Sequence, residues 1–127
     1  MGKYGRCAEA AVDRIQKGGE DPVTAWKNSA RAVFPDSEWS QKKGCPKDAF
    51  LGLCEAEIII GIPGGKFTRS VLNKGYALNA VDILKTNPKL SDNEDALWHA
   101  VQGANSKVHN SQMDVVATLW KLDLIKH

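Results

Sequence analysis

The sequence predicts an all-α protein that forms a single compact domain of about six helices over residues 1–127, with at most one small β element. Among known helical arrangements, the helix-turn-helix is the one that the sequence suggests. Apolar residues recur at helical spacing through most of the chain. Prolines, glycines and short polar residues separate these periodic segments. A chain of 127 residues with 43% hydrophobic and 25% charged residues has ordinary globular composition and can bury one continuous core.

Two helices are predicted in the first third of the chain. Apolar residues recur at helical spacing from Tyr4 to Ile15, and Gly18–Gly19 ends this first helix. Asp21–Pro22 then supplies an N-cap followed by proline at the first helical position. The second helix ends at Pro35, because the residue before a proline disfavours helical backbone angles.

A polar connector and a third helix follow. The connector, residues 36–44, carries Trp39, which we expect to pack back onto the body of the protein. Cys45–Pro46 begins the third helix in the way that Asp21–Pro22 begins the second. The apolar segment Glu57–Ile62 is compatible with a strand or a buried helix end, and periodicity does not separate the two.

Three more helices are predicted in the second half. The fourth covers Val71–Lys85, and Asn87–Pro88 stops it. Ser91 followed by Glu94 has the pattern of a capping box, which begins the fifth helix. The sixth helix follows a polar loop, with one residue of Asn110–Ser111 as its N-cap.

Two segments of the chain have similar sequences. "LCEAEIIIG", Leu53 to Gly61, and "LWKLDLIKH", Leu119 to His127, both read as a helix that runs into an acidic residue and then leucine or isoleucine. Helix-turn-helix domains often end a helix with such a step. Because the match is short, we favour the simpler interpretation that buried helix ends have similar compositions over an internal duplication.

The net charge of +2 is mild, so its distribution matters more than its size. Between Gln41 and Gly75 the basic residues outnumber the acidic ones, whereas the rest of the chain is nearly balanced. If this region folds together, it forms one anion-binding patch that supports salt-sensitive binding to a phosphate backbone. The basic residues of this predicted patch are Lys42, Lys43, Lys47, Lys66, Arg69 and Lys74.

A thiol site is a second interpretation of the same region. Cys45 is predicted near the positive end of the third helix, and lysines flank it, so its thiolate form is favoured. Nucleophilic catalysis also needs a positioned base, for which His109 with Asn110 is a candidate. A helix start with a solvated basic rim is the favoured explanation, because the sequence does not place His109 near Cys45.

Other chemistry is not predicted. "GIPGGKFT", Gly61 to Thr68, departs from the P-loop pattern in the glycine spacing and in the residue after Lys66. The three cysteines have no paired spacing that suits zinc, and we expect no metal and no cofactor. The chain shows no signal-peptide pattern and no apolar run near the roughly 20 residues of a membrane span, so we expect a cytoplasmic protein without membrane association.

Three blocks, "SQKKGCPKDAFLGLCEAEIIIGIP", "NKGYALNAVDIL" and "HNSQMDVVATLW", resemble a family of small standalone bacterial proteins with no assigned function. The resemblance extends over nearly the whole chain and implies no activity. It directs attention to the polar stretches inside the blocks, 41–50 and 109–114. Besides the residues already named, these stretches contribute the candidate site residues Gln41, Gln112 and Asp114.

The leading functional hypothesis is a binding or interaction module whose basic face takes an anionic partner, with nucleic acid as its most economical form. The first alternative is a protein–protein module, with self-association into a homo-oligomer. The second alternative is an enzyme or thiol-redox protein centred on Cys45, and an enzyme is the less favoured class.

Overall fold

A computed structural model describes residues 1–103 and 111–126, and its regular secondary structure within these ranges is helical. Six of the helices have nine residues or more, which confirms the predicted all-α class and approximate helix number. None of the described helices is both long and apolar enough to cross a membrane. In chain order the elements are α1 (Lys3–Gly18), α2 (Pro22–Val33), α3 (Glu38–Gln41), α4 (Gly44–Glu55), α5 (Val71–Thr86), a 3-10 turn (Pro88–Asp92), α6 (Glu94–Gln102) and α7 (Gln112–Lys121).

Most predicted helix starts are confirmed, with corrections at α4 and α6. α4 begins at Gly44 with Lys43 as its N-cap, so Cys45 and Pro46 lie inside its first turn and do not repeat the Asp21–Pro22 start. Asp21 caps α2 with its side chain, and proline follows at the first helical position. At α6 the N-cap is Asn93, whose Oδ1 accepts the amide of Ala96 at 3.0 Å. The predicted capping box from Ser91 is wrong, because Ser91 lies in the 3-10 turn and its hydroxyl donates to the Pro88 carbonyl at 2.9 Å.

α7 lies at the centre of the core. Every residue of α7 from Gln112 to Leu119 is buried. α1 packs against α2 and α7, while α4 packs against α5 and α7. Trp26 of α2 and Phe50 of α4 meet inside the core with ring centroids 5.2 Å apart. The hydrophobic effect of this shared core holds the two halves of the chain together.

α4 and α7 end in the same way. Each is followed by an acidic residue in the left-handed region, Glu57 at φ 60° and Asp123 at φ 57°. In both cases the next amide bonds five residues back, from Ile58 to Leu53 and from Leu124 to Leu119. The acidic residue's own amide bonds three residues back in both helices, which completes a Schellman motif.

The two helix ends then pair with each other. Ile59 and Ile125 form an isolated antiparallel β-bridge, and both side chains are almost fully buried. The Ile60 amide donates to the Leu124 carbonyl and the Lys126 amide to the Ile58 carbonyl, each at 2.8 Å. The segment Glu57–Ile62 is therefore neither a strand of a sheet nor a helix, and its bridge to Ile125 is the one β element among the described residues, within the predicted limit of at most one.

The similarity of the two ends extends into the helices. Asp48 stands five residues before Leu53, and Asp114 stands five residues before Leu119. Asp114 accepts amides of the first turn of α1, and Asp48 accepts the Thr68 hydroxyl, which itself accepts the Ser70 amide at the start of α5. The similar composition of buried helix ends is therefore an incomplete explanation of why the two segments have similar sequences, because the structure pairs them as counterparts.

Glycine at either helix end is expected to stabilise the protein. Glu57 and Asp123 are exposed and hold positive φ, a conformation that costs a residue with a Cβ about 1 kcal/mol or more. Glycine is also more flexible in the unfolded chain, and this entropy offsets part of the gain. Glu57→Gly and Asp123→Gly should therefore each raise the free energy of unfolding by about 0.5 kcal/mol in urea titrations. Ala56→Gly is the control. Ala56 has φ −74°, which alanine adopts without strain, so glycine at this position should lower the free energy of unfolding.

Candidate functional site

An exposed tryptophan marks the surface between α2 and α4. The Trp39 side chain lies on the short helix α3 and is 75% exposed. Our expectation that Trp39 packs back onto the body is therefore wrong. A helix of only four residues has little surface to bury, and α3 has no buried residue; it is held to α1 and α2 by hydrogen bonds.

Hydrogen bonds hold α3 in position on both sides. Ser37 caps it, because its Oγ accepts the Ser40 amide at 3.1 Å. The Gln41 side chain donates to the Phe34 carbonyl at 2.7 Å, which fastens α3 to the end of α2. The Tyr4 hydroxyl donates to the Ser40 carbonyl at 2.9 Å, which fastens α3 to α1. The exposed indole is thus carried by a fixed backbone.

Lysines and aromatic rings alternate around this position. The Lys43 ammonium lies 5.4 Å from the centre of the Tyr4 ring and 5.7 Å from that of Trp39. The Lys3 ammonium lies 5.5 Å from the centre of the Phe34 ring, and Tyr4 and Phe34 contact each other at 4.8 Å. These distances are those of cation–π contacts. We call Lys3, Tyr4, Phe34, Trp39 and Lys43 the aromatic–lysine cluster.

A shallow groove continues from the cluster along the end of α2. Two adjoining depressions share Glu38 and Lys42 and together form what we call the α3 groove. The Lys42 ammonium bonds the Glu38 carboxylate at 2.7 Å, but both side chains are exposed and such a pair contributes little. The lining residues are Lys27, Arg31, Pro35, Asp36, Glu38, Trp39, Gln41, Lys42, Lys43 and Gly44.

The six predicted basic residues fall into groups with different contacts. Lys42 and Lys43 line the α3 groove. Lys74 lies 3.8 Å from the Glu55 carboxylate, so its charge is partly compensated. Lys47 is half-buried on α4, whereas Lys66 and Arg69 are exposed in the segment between α4 and α5.

The segment that carries Lys66 and Arg69 is anchored on α4. The Thr68 hydroxyl donates to Asp48 at 2.9 Å, and the Thr68 amide donates to Glu55 at 3.2 Å. These two carboxylates contact Thr68, the residue before Arg69, and so reduce the net positive charge around the segment. The basic surplus is therefore greater at the α3 groove, where four cations accompany Asp36 and Glu38.

The predicted polar residues form internal hydrogen bonds. Gln41 holds α3 to α2, as described. The Gln112 amide group donates to Asn73 Oδ1 at 3.1 Å and so joins the starts of α7 and α5. Asp114 is 6% exposed and accepts the amides of Gly2, the N-cap of α1, and Gly5, in its first turn. These contacts give the three residues positioning roles inside the fold.

The cysteines differ in their surroundings. Cys45 is half-buried in the first turn of α4, while His109 and Asn110 lie outside the residues that the structure describes. Burial, assisted by the Asp114 carboxylate, raises the pKa of the Cys7 thiol to about 12. Burial alone raises the pKa of the Cys54 thiol to about 12. At neutral pH Cys7 and Cys54 are therefore protonated and poor nucleophiles.

Sequence reasoning missed several residues of this surface. Tyr4 and Phe34 belong to helical stripes that predict core positions, and Lys27 and Arg31 lie in a helix outside the predicted basic region. The sequence does contain one indication: Trp39 stands in a polar connector and is followed within four residues by two lysines. Across the part of the chain described, His, Cys, Asp and Glu residues do not form a group of three that could hold a metal ion.

Comparison with known families agrees with the resemblance. The sequence profile of DUF6979, a family of unknown function, matches residues 1–126. The chain belongs to DUF6979. No curated protein and no solved structure matches it. In this DUF6979 member, the α3 groove and the aromatic–lysine cluster are the surface features with the chemistry of a binding site.

Proposed function

We propose that the protein binds nucleic acid through the α3 groove. The observation that supports this most is a surface with more cations than anions that ends at an exposed indole. Lysine and arginine side chains neutralise phosphates and release condensed counterions, which is the main source of sequence-independent affinity. Aromatic side chains beside such cations are typical of nucleic-acid-binding surfaces.

The number of cations that line the α3 groove limits the expected affinity for nucleic acid. Four cations line it, Lys27, Arg31, Lys42 and Lys43, and two carboxylates reduce their combined charge. If all four contact phosphates of a single strand, the logarithm of the binding constant should fall with the logarithm of salt concentration with a slope of about −3. Such binding is of modest affinity and depends steeply on salt.

The free cysteines bear on the location of the protein, and its mass in solution bears on the alternative of self-association. We propose a cytoplasmic location, which agrees with the free thiols of Cys7, Cys45 and Cys54. Self-association in place of nucleic-acid binding would appear as a mass that rises with protein concentration in the absence of ligand.

Removing two lysines from the groove is expected to weaken binding about tenfold at low salt, since two phosphate contacts are lost. The variant is Lys42→Ala with Lys43→Ala, measured by fluorescence anisotropy of a labelled mixed-sequence DNA or RNA oligonucleotide at low and moderate salt. Lys66→Ala with Arg69→Ala is the matched control: it removes the same charge from exposed positions outside the groove and should change affinity less than about twofold.

Three outcomes would contradict the proposal. The wild-type protein could fail to bind either oligonucleotide at low salt. The control variant could lose as much affinity as the groove variant, which would place binding elsewhere or make it a response to net charge alone. Binding could also persist unchanged at moderate salt, which phosphate contacts do not allow.

A further inference from the structure

We infer that the α3 groove takes single-stranded nucleic acid, with one base stacked on the indole of Trp39. This inference rests on the proposed function and names its ligand class. Trp39 is 75% exposed, although a tryptophan ring is the largest apolar surface that a side chain offers to water. The backbone of α3 is fixed by a hydrogen bond that Tyr4 of α1 donates to Ser40 and by one that Gln41 donates to Phe34 at the end of α2, so the ring is presented on a rigid support.

The surroundings of the ring suit an unpaired base with its phosphates. Every base has a π-face that can stack on an aromatic ring, and stacking adds to the attraction between phosphates and cations. Lys42 and Lys43 stand three and four residues after Trp39, and Lys43 already lies 5.7 Å from the indole centre. Lys27 and Arg31 extend the positive charge along the groove, away from the ring.

A duplex is a poorer ligand for the same surface. In a double helix the base faces are covered by neighbouring bases, so stacking on Trp39 would require unpairing. A single strand presents its bases freely. An apolar protein partner is also disfavoured, because covering the indole would remove from water the Lys43 ammonium that lies 5.7 Å from its centre, and an apolar surface supplies no anion to pair it.

The test compares strands that differ only in their bases. A labelled single-stranded oligonucleotide, the same strand with abasic sites in its central positions, and the corresponding duplex are titrated into the wild-type protein. The natural single strand is expected to bind about tenfold more tightly than the abasic strand, because the phosphates are equal and the stacking contact is lost. It should also bind more tightly than the duplex.

Substitution of the indole separates stacking from charge. Trp39→Ala should remove the difference between natural and abasic strands while leaving salt-dependent binding, whereas Trp39→Phe should retain part of that difference. Val71→Ala is the control, since Val71 is an 85% exposed apolar residue outside the groove. Circular dichroism checks that the variants fold, which we expect because the substituted side chains are exposed.

The outcomes distinguish this inference from the proposed function. Equal binding of natural and abasic strands, or tighter binding of the duplex, overturns base stacking and leaves phosphate binding in place. A difference between strands that survives Trp39→Ala assigns stacking to another residue and also overturns the inference. Absence of binding to all three ligands overturns both.

Discussion

Replacing Asp114 with alanine is expected to lower the free energy of unfolding by about 3 kcal/mol, the largest effect of any polar substitution that we predict. The carboxylate is 6% exposed and accepts the amides of Gly2 and Gly5, each at 2.8 Å. The Thr118 hydroxyl donates a weaker bond at 3.4 Å. Alanine leaves the buried Gly5 amide without this partner, and an amide buried without a partner keeps its full desolvation cost, whereas Gly2 is exposed to water.

Asp48 provides the matched control for Asp114. It stands at the corresponding position of α4, is half-buried, and accepts one hydroxyl at 2.9 Å from Thr68. Asp48→Ala should therefore cost only about 1 kcal/mol. Urea unfolding monitored by circular dichroism measures both values. If the two substitutions cost the same, Asp114 does not have the special anchoring role that its two amide bonds indicate.

The anchoring of α1 also bears on the candidate site. Asp114 holds the first turn of α1 against α7, and the same turn carries Lys3 and Tyr4 into the aromatic–lysine cluster. Tyr4 in turn supports α3 through its hydroxyl. The centre of the fold is thus connected to the exposed Trp39 by a short series of direct contacts, although Asp114 itself lies far from the groove in sequence.

The fold class could be predicted from the sequence because its evidence is local. Helical spacing, Asp21–Pro22 before α2 and the prolines after α2 and α5 act over a few residues, so each element can be recognised alone. The error at α6 is of the same kind. Ser91 and Asn93 both suit an N-cap, and the choice between them depends on the 3-10 turn that Pro88 begins.

The candidate site could be predicted only in part, because it is assembled from distant segments. The charge count between residues 41 and 75 identified Lys42 and Lys43 but not Lys27 or Arg31, which α2 brings beside them. Asp114 bonds amides 112 and 109 residues away, a contact that no local pattern contains. Exposure of Trp39 likewise depends on how α1 and α2 support α3.

Truncation of either isoleucine in the β-bridge is expected to cost about 3 kcal/mol, since each leaves a cavity that the surrounding helices cannot fill. The Ile59 side chain is 0% exposed and Ile125 is 1% exposed. They are paired across the only bridge in the described residues, where the ends of α4 and α7 meet. Ile59→Ala and Ile125→Ala are to be measured separately and together by urea unfolding.

The double variant, Ile59→Ala with Ile125→Ala, tests whether the ends of α4 and α7 are energetically coupled. Because the two residues are bridge partners, the double variant should cost less than the sum of the single variants by about 0.5 kcal/mol or more. Ile60→Ala is the control: its side chain is 45% exposed, and its loss should cost about 0.5 kcal/mol. Strict additivity of Ile59→Ala and Ile125→Ala would mean that the bridge does not couple the two helix ends. The similarity of those ends would then reflect two independent Schellman motifs rather than one paired structure.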